Sequence, residues 1–223
     1  MREVVEAEEG EVFDIELEQS LLEANRRLAE QNRALLDRYG VKAIDVMGSV
    51  GSGKTSLIAR MVELLGDRYR IAYIAGDLTT TIDADAIARY GVPVVQINTG
   101  KECHLDANLV AKALKRLDLA NTDLIFIENV GNLICPAEFP LGSHQRLVVV
   151  SITEGPYVVV KHPYIFMEAD LAVINKIDLA EAMEVDVDKL EADIRTVNPS
   201  LRTVRTCCRT GEGVEEVIKA LGL

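Results

Sequence analysis

The stretch Gly48-Ser49-Val50-Gly51-Ser52-Gly53-Lys54-Thr55 fits the pattern G-x-x-x-x-G-K-[ST] at every fixed position. It follows an apolar run, Ala43–Met47, and opens a helical one, Thr55–Leu65. That strand–loop–helix context is what the pattern needs to cradle phosphate. Glycines let successive backbone N–H groups turn toward phosphate oxygens, and the new helix directs its positive dipole end to the same place. Lys54 can reach the β- and γ-phosphates, the Thr55 hydroxyl can ligate Mg²⁺, and Ser56 closes the cradle. The chain is therefore expected to bind a nucleoside triphosphate through Gly48–Ser56.

A second site names the base. Asn175-Lys176-Ile177-Asp178 ends the apolar run Asp170–Ile174, about 120 residues beyond the phosphate loop. A carboxylate at Asp178 can accept from guanine N1–H and N2–H₂ together, whereas adenine offers a lone pair there and is rejected. The Lys176 stem can cover the base, and Asn175 can tie the loop to its neighbours. Cys207-Cys208, before Thr210-Gly211-Glu212-Gly213, falls where a base-contacting loop belongs, so backbone contacts to guanine are expected there. The nucleotide read is GTP, with Asp178 discriminating against an ATP-dependent kinase.

Short apolar runs at 42–47, 71–75, 92–97, 123–128, 147–152, 170–175 and 201–206 read as strands. Helical patterns at 54–65, 83–89, 105–119, 164–168, 186–197 and 213–221 alternate with them. Strands apolar on both faces and separated by helices imply an α/β fold, a mostly parallel central sheet flanked by helices on both faces. Ahead of it, Asp14–Tyr39 reads as a long amphipathic helix stopped by Gly40. Residues 1–40 thus form an acidic, mobile tail (1–12) and a helix packed on the domain, and 41–223 form the P-loop GTPase domain with inserted metal-site loops.

The formal net charge of −12 argues against non-specific attraction to nucleic-acid phosphates or anionic membrane. No apolar stretch approaches the ~20 residues that span a bilayer, and the acidic start Met1-Arg2-Glu3-Val4-Val5-Glu6 has no signal-peptide core. A cytoplasmic protein is expected. In a reducing compartment its four cysteines should be thiols, free to ligate metal or to pack.

Glu128-Asn129-Val130-Gly131 follows the run Asp123–Ile127. Glu128 is placed to hold Mg²⁺, and the Gly131 N–H to bond the γ-phosphate. Asp77, closing the strand at 71–76, is assigned to the metal; Asp83 and Asp85 are assigned to a helix N-terminus, which favours acidic side chains. Cys103-His104 lies in a glycine-led loop, and Cys135-Pro136 follows Gly131 closely. Two thiolates and an imidazole suit Zn²⁺ or Ni²⁺ and are wrong for Mg²⁺. Three ligands fall short of four, a deficit that a two-fold dimer can fill. Spacing alone leaves open a second reading, small buried cysteines beside a solvated histidine. His144 and His162 read as structural.

These residues together resemble the GTPases of hydrogenase nickel insertion, metallochaperones in the dimerising branch of P-loop GTPases. The resemblance runs from about Leu21 to the C-terminus. It rests on Gly48–Ser56, Gly76-Asp77-Leu78-Thr79 with Asp83-Ala84-Asp85, and Thr99-Gly100 with Cys103-His104-Leu105-Asp106-Ala107. Glu128-Asn129-Val130-Gly131-Asn132-Leu133 with Cys135-Pro136, Thr153-Glu154-Gly155 and Asn175–Asp178 complete it. It implies that Cys103, His104 and Cys135 bind nickel or zinc at a GTP-dependent homodimer interface, and that Thr55, Asp77 and Glu128 ligate Mg²⁺. It also implies slow GTP hydrolysis, and delivery of nickel toward a partner chaperone and the hydrogenase large subunit. Urease-directed and cobalamin-trafficking GTPases share the branch, but the Cys-His pair after Thr99-Gly100 argues against both. A GTP-driven dimerisation module without metal function is the other alternative. The chain departs from the family pattern at Val50, where relatives usually carry Pro. It departs again at Pro156-Tyr157, where Asp-Asp is common ahead of Lys161. A Cys-rich or His-rich N-terminal extension is also missing, so nickel storage is not expected.

Overall fold

The computed structural model describes residues 15–223, and their side chains from residue 19 on. The expected acidic tail lies outside the described residues. Seven strands form one sheet in the order β3-β2-β4-β1-β5-β6-β7, every pairing parallel. They are β1 (Lys42–Gly48), β2 (Ile71–Asp77), β3 (Val94–Asn98), β4 (Leu124–Glu128), β5 (Gln145–Ser151), β6 (Leu171–Asn175) and β7 (Arg202–Thr206). β1, β4 and β6 are buried almost throughout, as a sheet covered on both faces requires.

Alternation along β1 separates the two cores. Ile44 and Val46 pack with Tyr73 and Phe126 beneath α2 (Lys54–Leu65), α3 (Ile82–Ala88) and α9 (Val214–Ala220). Ala43 faces the opposite layer with α1 (Ile15–Tyr39) and α4 (Ala107–Leu114), and Met47 faces the same way toward α6 (Val158–Lys161), α7 (Pro163–Met167) and α8 (Val187–Val197).

α1 ends at a left-handed glycine: Gly40 has φ 67°, and Val41 N donates to Leu36 O at 3.0 Å. Its inner face carries two buried asparagines rather than an all-apolar stripe. Asn25 Oδ1 accepts from Ala107 N at 2.8 Å while its Nδ2 donates to Pro140 O at 2.9 Å. Asn32 Nδ2 donates to Ala107 O at 2.8 Å and Leu141 O at 3.0 Å. The helix thus bonds the start of α4 to the segment that follows α5 (Cys135–Glu138).

Three elements differ from the sequence expectation. The helix expected over 105–119 begins at Ala107, because Asp106 caps it by accepting from Leu109 N at 2.7 Å and Leu105 N is drawn away to Asn129. It ends at Leu114, where Arg116 N and Leu117 N make three-residue turns to Ala113 O and Leu114 O. The helix expected over 164–168 is preceded by α6, and Pro163 at the first position of α7 separates the two. α5, only four residues long, is too short to show periodicity. No helix among the described residues is long and apolar enough to cross a membrane.

Candidate nucleotide cleft and metal centre

The phosphate loop runs from the end of β1 into α2, whose capping residue Gly53 has φ 99°. A Cβ there would come within 2.1 Å of Asn175 Nδ2, so glycine at 53 is what lets the loop meet the base-reading segment. A cleft of about 720 Å³ opens above the loop, lined by Lys54, Thr55, Asp77, Asp83, Glu128 and Gly131 among others. Gly131 closes its far wall, where a Cβ would lie 2.4 Å from Val50 Cγ2 and 2.9 Å from Val50 N. The segment after β4 and the phosphate loop are therefore in direct backbone contact, strengthened by Asn132 N donating to Gly48 O at 3.1 Å.

Lys54 Nζ donates to Ser49 O at 3.0 Å and Gly48 O at 3.2 Å, and lies 4.0 Å from Glu128 Oε1. Burial lowers its pKa, opposed by Glu128 and Asp83. Burial likewise pushes Glu128 up to about 7, offset by the nearby Lys54 charge and by Tyr73, whose hydroxyl donates to Glu128 Oε2 at 2.6 Å. The Thr55 hydroxyl lies 2.8 Å from both Glu128 Oε1 and Asp83 Oδ1. Two carboxylates and a hydroxyl converge, a hard all-oxygen set of the kind that suits Mg²⁺. The sequence reading gave Asp83 a purely structural role, yet its carboxylate meets Thr55, while Asp77 turns toward Leu78 N and the Thr80 hydroxyl. Asp77 still lines the same cleft. Asp85 bonds the Thr81 hydroxyl at 3.0 Å at the start of α3.

The cleft continues into a second hollow of about 500 Å³ lined by Asn175, Lys176, Asp178, Cys207 and Cys208. Asn175 ties three segments: Nδ2 donates to Ser52 O at 2.9 Å, and Oδ1 accepts from the Thr206 hydroxyl at 3.1 Å and Cys208 N at 3.2 Å. Lys176 adopts φ 61° and donates to Gly51 O at 2.7 Å, which lays its stem along the hollow. Asp178 accepts from Cys207 Sγ at 3.2 Å and pairs with Arg209 at 3.0 Å; both hold its pKa below the usual carboxylate range. Arg209 was not singled out in the sequence.

Cys103, His104 and Cys135 form the third cluster, their ligand atoms all within 4.8 Å of one another. The two sulfurs are 2.8 Å apart, and Cys103 Sγ lies 3.9 Å from His104 Nδ1. Burial lowers the His104 pKa, which favours the neutral, ligating imidazole, and the ring stacks on Phe139 at 3.9 Å between centroids. Burial and the neighbouring Cys103 thiol raise the Cys135 pKa. Two soft sulfurs and one borderline nitrogen in reach of a single ion fit Ni²⁺ or Zn²⁺. Cys207 and Cys208 stand apart at the base-reading hollow. His144 bonds Asp37 at 2.9 Å and accepts from Ala43 N at 3.0 Å, joining α1 to the sheet.

Fold and phosphate loop together define a P-loop nucleotide-binding protein. Residues 42–205 match the family model for the CobW/HypB/UreG nucleotide-binding domain. The chain is 51% identical over 205 residues to a probable hydrogenase maturation factor HypB of Methanocaldococcus jannaschii, covering 92% of this chain and 93% of that protein. A crystal structure of hydrogenase maturation factor HypB from Archaeoglobus fulgidus superposes with a TM-score of 0.84 at 47% identity, covering 89% and 97% of the two chains. HypB from Helicobacter pylori, crystallised in complex with nickel, gives 0.84 at 31% identity, covering 89% and 93%. This chain belongs to the HypB family of hydrogenase maturation factors.

Proposed function

We propose that this protein is a GTP-hydrolysing nickel metallochaperone for hydrogenase maturation, in which the state of the γ-phosphate sets the grip on nickel. One observation carries the reading: Cys135, one of three candidate nickel ligands, lies four residues beyond Gly131, which lines the nucleotide cleft against Val50. Lys54 draws the β- and γ-phosphates to the loop, the Gly131 N–H bonds the terminal phosphate, and Asp178 selects guanine. Thr55 and Glu128, with Asp83 and Asp77 at hand, would hold Mg²⁺, which when bound neutralises charge between the phosphates. Loss of the terminal phosphate frees Gly131 and moves the backbone that carries Cys135. Among the described residues no glutamine lines the nucleotide cleft to orient a water, so turnover is expected to be slow.

A GTP-bound homodimer completes the metal's coordination in this reading. Val50, Ile82 and Ile134 support it: they are 82%, 71% and 58% exposed around the cleft and the thiols, where a second copy would cover them. Nickel is cargo received from or passed to a partner chaperone and the hydrogenase large subunit; Zn²⁺ competes for the same donors. Titration of Ni²⁺ and Zn²⁺ into GTP-analogue and GDP forms, read with sedimentation, tests the scheme. A coupling of ~1–3 kcal/mol predicts affinities differing by about 5–150-fold. Equal affinities in the two forms sink it.

A further inference from the structure

Asp45 lies at the middle of β1 and is fully buried, between Ile44 and Val46 of the α2-side core. Strand alternation turns its carboxylate to the other face, the one that Ala43 and Met47 share. Burial pushes this carboxyl up to about 6 even with the Arg146 guanidinium beside it. A buried charge at a strand centre is a stability burden that an apolar residue would remove.

Two connections radiate from it. Asn129 Nδ2 donates to Asp45 Oδ1 at 3.2 Å. An ionised carboxylate only accepts, so it dictates which way the amide faces. Asn129 Oδ1 is thereby aimed at two backbone amides, Leu105 N at 3.0 Å and Val130 N at 3.1 Å. Leu105 follows His104, and Val130 lies between Glu128 and Gly131. Arg146 is the second, an ion pair without a hydrogen bond: Nε stands 3.7 Å from Asp45 Oδ2, and Nη2 donates to Pro136 O at 2.5 Å and Ala137 O at 3.2 Å. Those carbonyls directly follow Cys135.

We propose that Asp45 is a positioning residue that holds the three metal-binding side chains and the phosphate-facing segment in one register, through Asn129 and Arg146. The proposal rests on the reading of Cys103, His104 and Cys135 as nickel ligands. Its test is titration of Ni²⁺ alone into the nucleotide-free chain, following the thiolate-to-nickel charge-transfer band, with GTP-analogue affinity measured in parallel and folding checked by thermal unfolding. Asp45→Leu should weaken Ni²⁺ binding about ten- to a hundredfold, shift the band and lower GTP-analogue affinity as well. Arg146→Met frees only the Cys135 side, so it should weaken Ni²⁺ binding about tenfold with GTP-analogue affinity unchanged. Asp45→Asn keeps an acceptor for Asn129 and should restore GTP-analogue affinity.

Asp45→Leu and Arg146→Met proteins that are folded and bind Ni²⁺ like the wild type, with the same band, overturn the proposal. If Asp45→Leu does not fold, Arg146→Met decides alone. Should Cys103→Ala leave wild-type Ni²⁺ affinity intact, the nickel role falls and this inference with it. Should Cys103→Ala abolish binding while Arg146→Met leaves it intact, only the role of Asp45 falls.

Discussion

The nucleotide cleft and the candidate metal centre are built in opposite ways. The phosphate loop is one continuous stretch between β1 and α2, and its shape follows from its own glycines and the helix behind it. The metal centre joins Cys103 and His104 to Cys135, 32 residues further on. The backbone around them is tied from the core: Asn132 bonds Cys103 O and Ile134 N, Asn129 bonds Leu105 N, and Arg146 bonds the carbonyls of Pro136 and Ala137. A local site owes its geometry to the chain itself, whereas an assembled site borrows it from the core.

The sharpest way to separate the two regions is to remove one donor from each. Cys135→Ala should cut Ni²⁺ affinity by about a hundredfold or more, beyond what loss of a supporting residue does, with GTP-analogue affinity measured without metal unaltered. Lys54→Ala should do the reverse, slowing GTP hydrolysis by about a hundredfold or more while Ni²⁺ titration of the nucleotide-free protein is unchanged. Loss of both functions in either variant would break the contrast.

Asp178→Asn sharpens the local side. The amide presents a donor where guanine presents N–H groups, so GTP affinity should fall by about 1–3 kcal/mol, and xanthosine triphosphate, with an acceptor at C2, should gain. Competition binding between the two nucleotides reads it, and an unchanged preference would remove Asp178 from base recognition.

The assembled side has a pH signature. The folded-state pKa of Asp45 is raised to about 6 by burial, so its contribution to stability is fully present below the unfolded carboxylate range and is lost as pH rises through 6. That loss amounts to about 3 kcal/mol. Urea unfolding of wild type and Asp45→Asn should therefore give a stability difference that moves in favour of the variant between pH 4 and pH 8. A difference independent of pH would mean the carboxyl titrates normally. The smallest effect is expected at α1: Asn32→Ala removes the side-chain donor shared by Leu141 O and Ala107 O, at about 1–3 kcal/mol in unfolding free energy. Its folded fraction should bind GTP analogue normally.

Legibility in the sequence follows the same division. Gly48–Thr55, the parallel sheet and the Asn175–Asp178 loop were readable because each is a short pattern with one structural solution. Asp83 was not: an acid in the first turn of a helix caps and ligates with the same side chain, and only the fold shows its carboxylate on Thr55. Asn25, Asn32 and Arg146 gave no signal, since an asparagine on an amphipathic helix looks solvated until its partners, more than seventy residues away, are known. Spacing alone left Cys103 and Cys135 undecided between packing and ligation, and their meeting across 32 residues is a product of tertiary structure.

The contact between the two thiols has a mechanical consequence. Sulfurs bound at about 2.3 Å to one tetrahedral ion sit about 3.8 Å from each other, wider than the 2.8 Å between Cys103 and Cys135. A shared ion would therefore hold the sulfurs further apart than they stand here, and the turn carrying Cys103 and the start of α5 are the two segments that would take up the difference. A nickel-loaded structure with the sulfurs still 2.8 Å apart would contradict that.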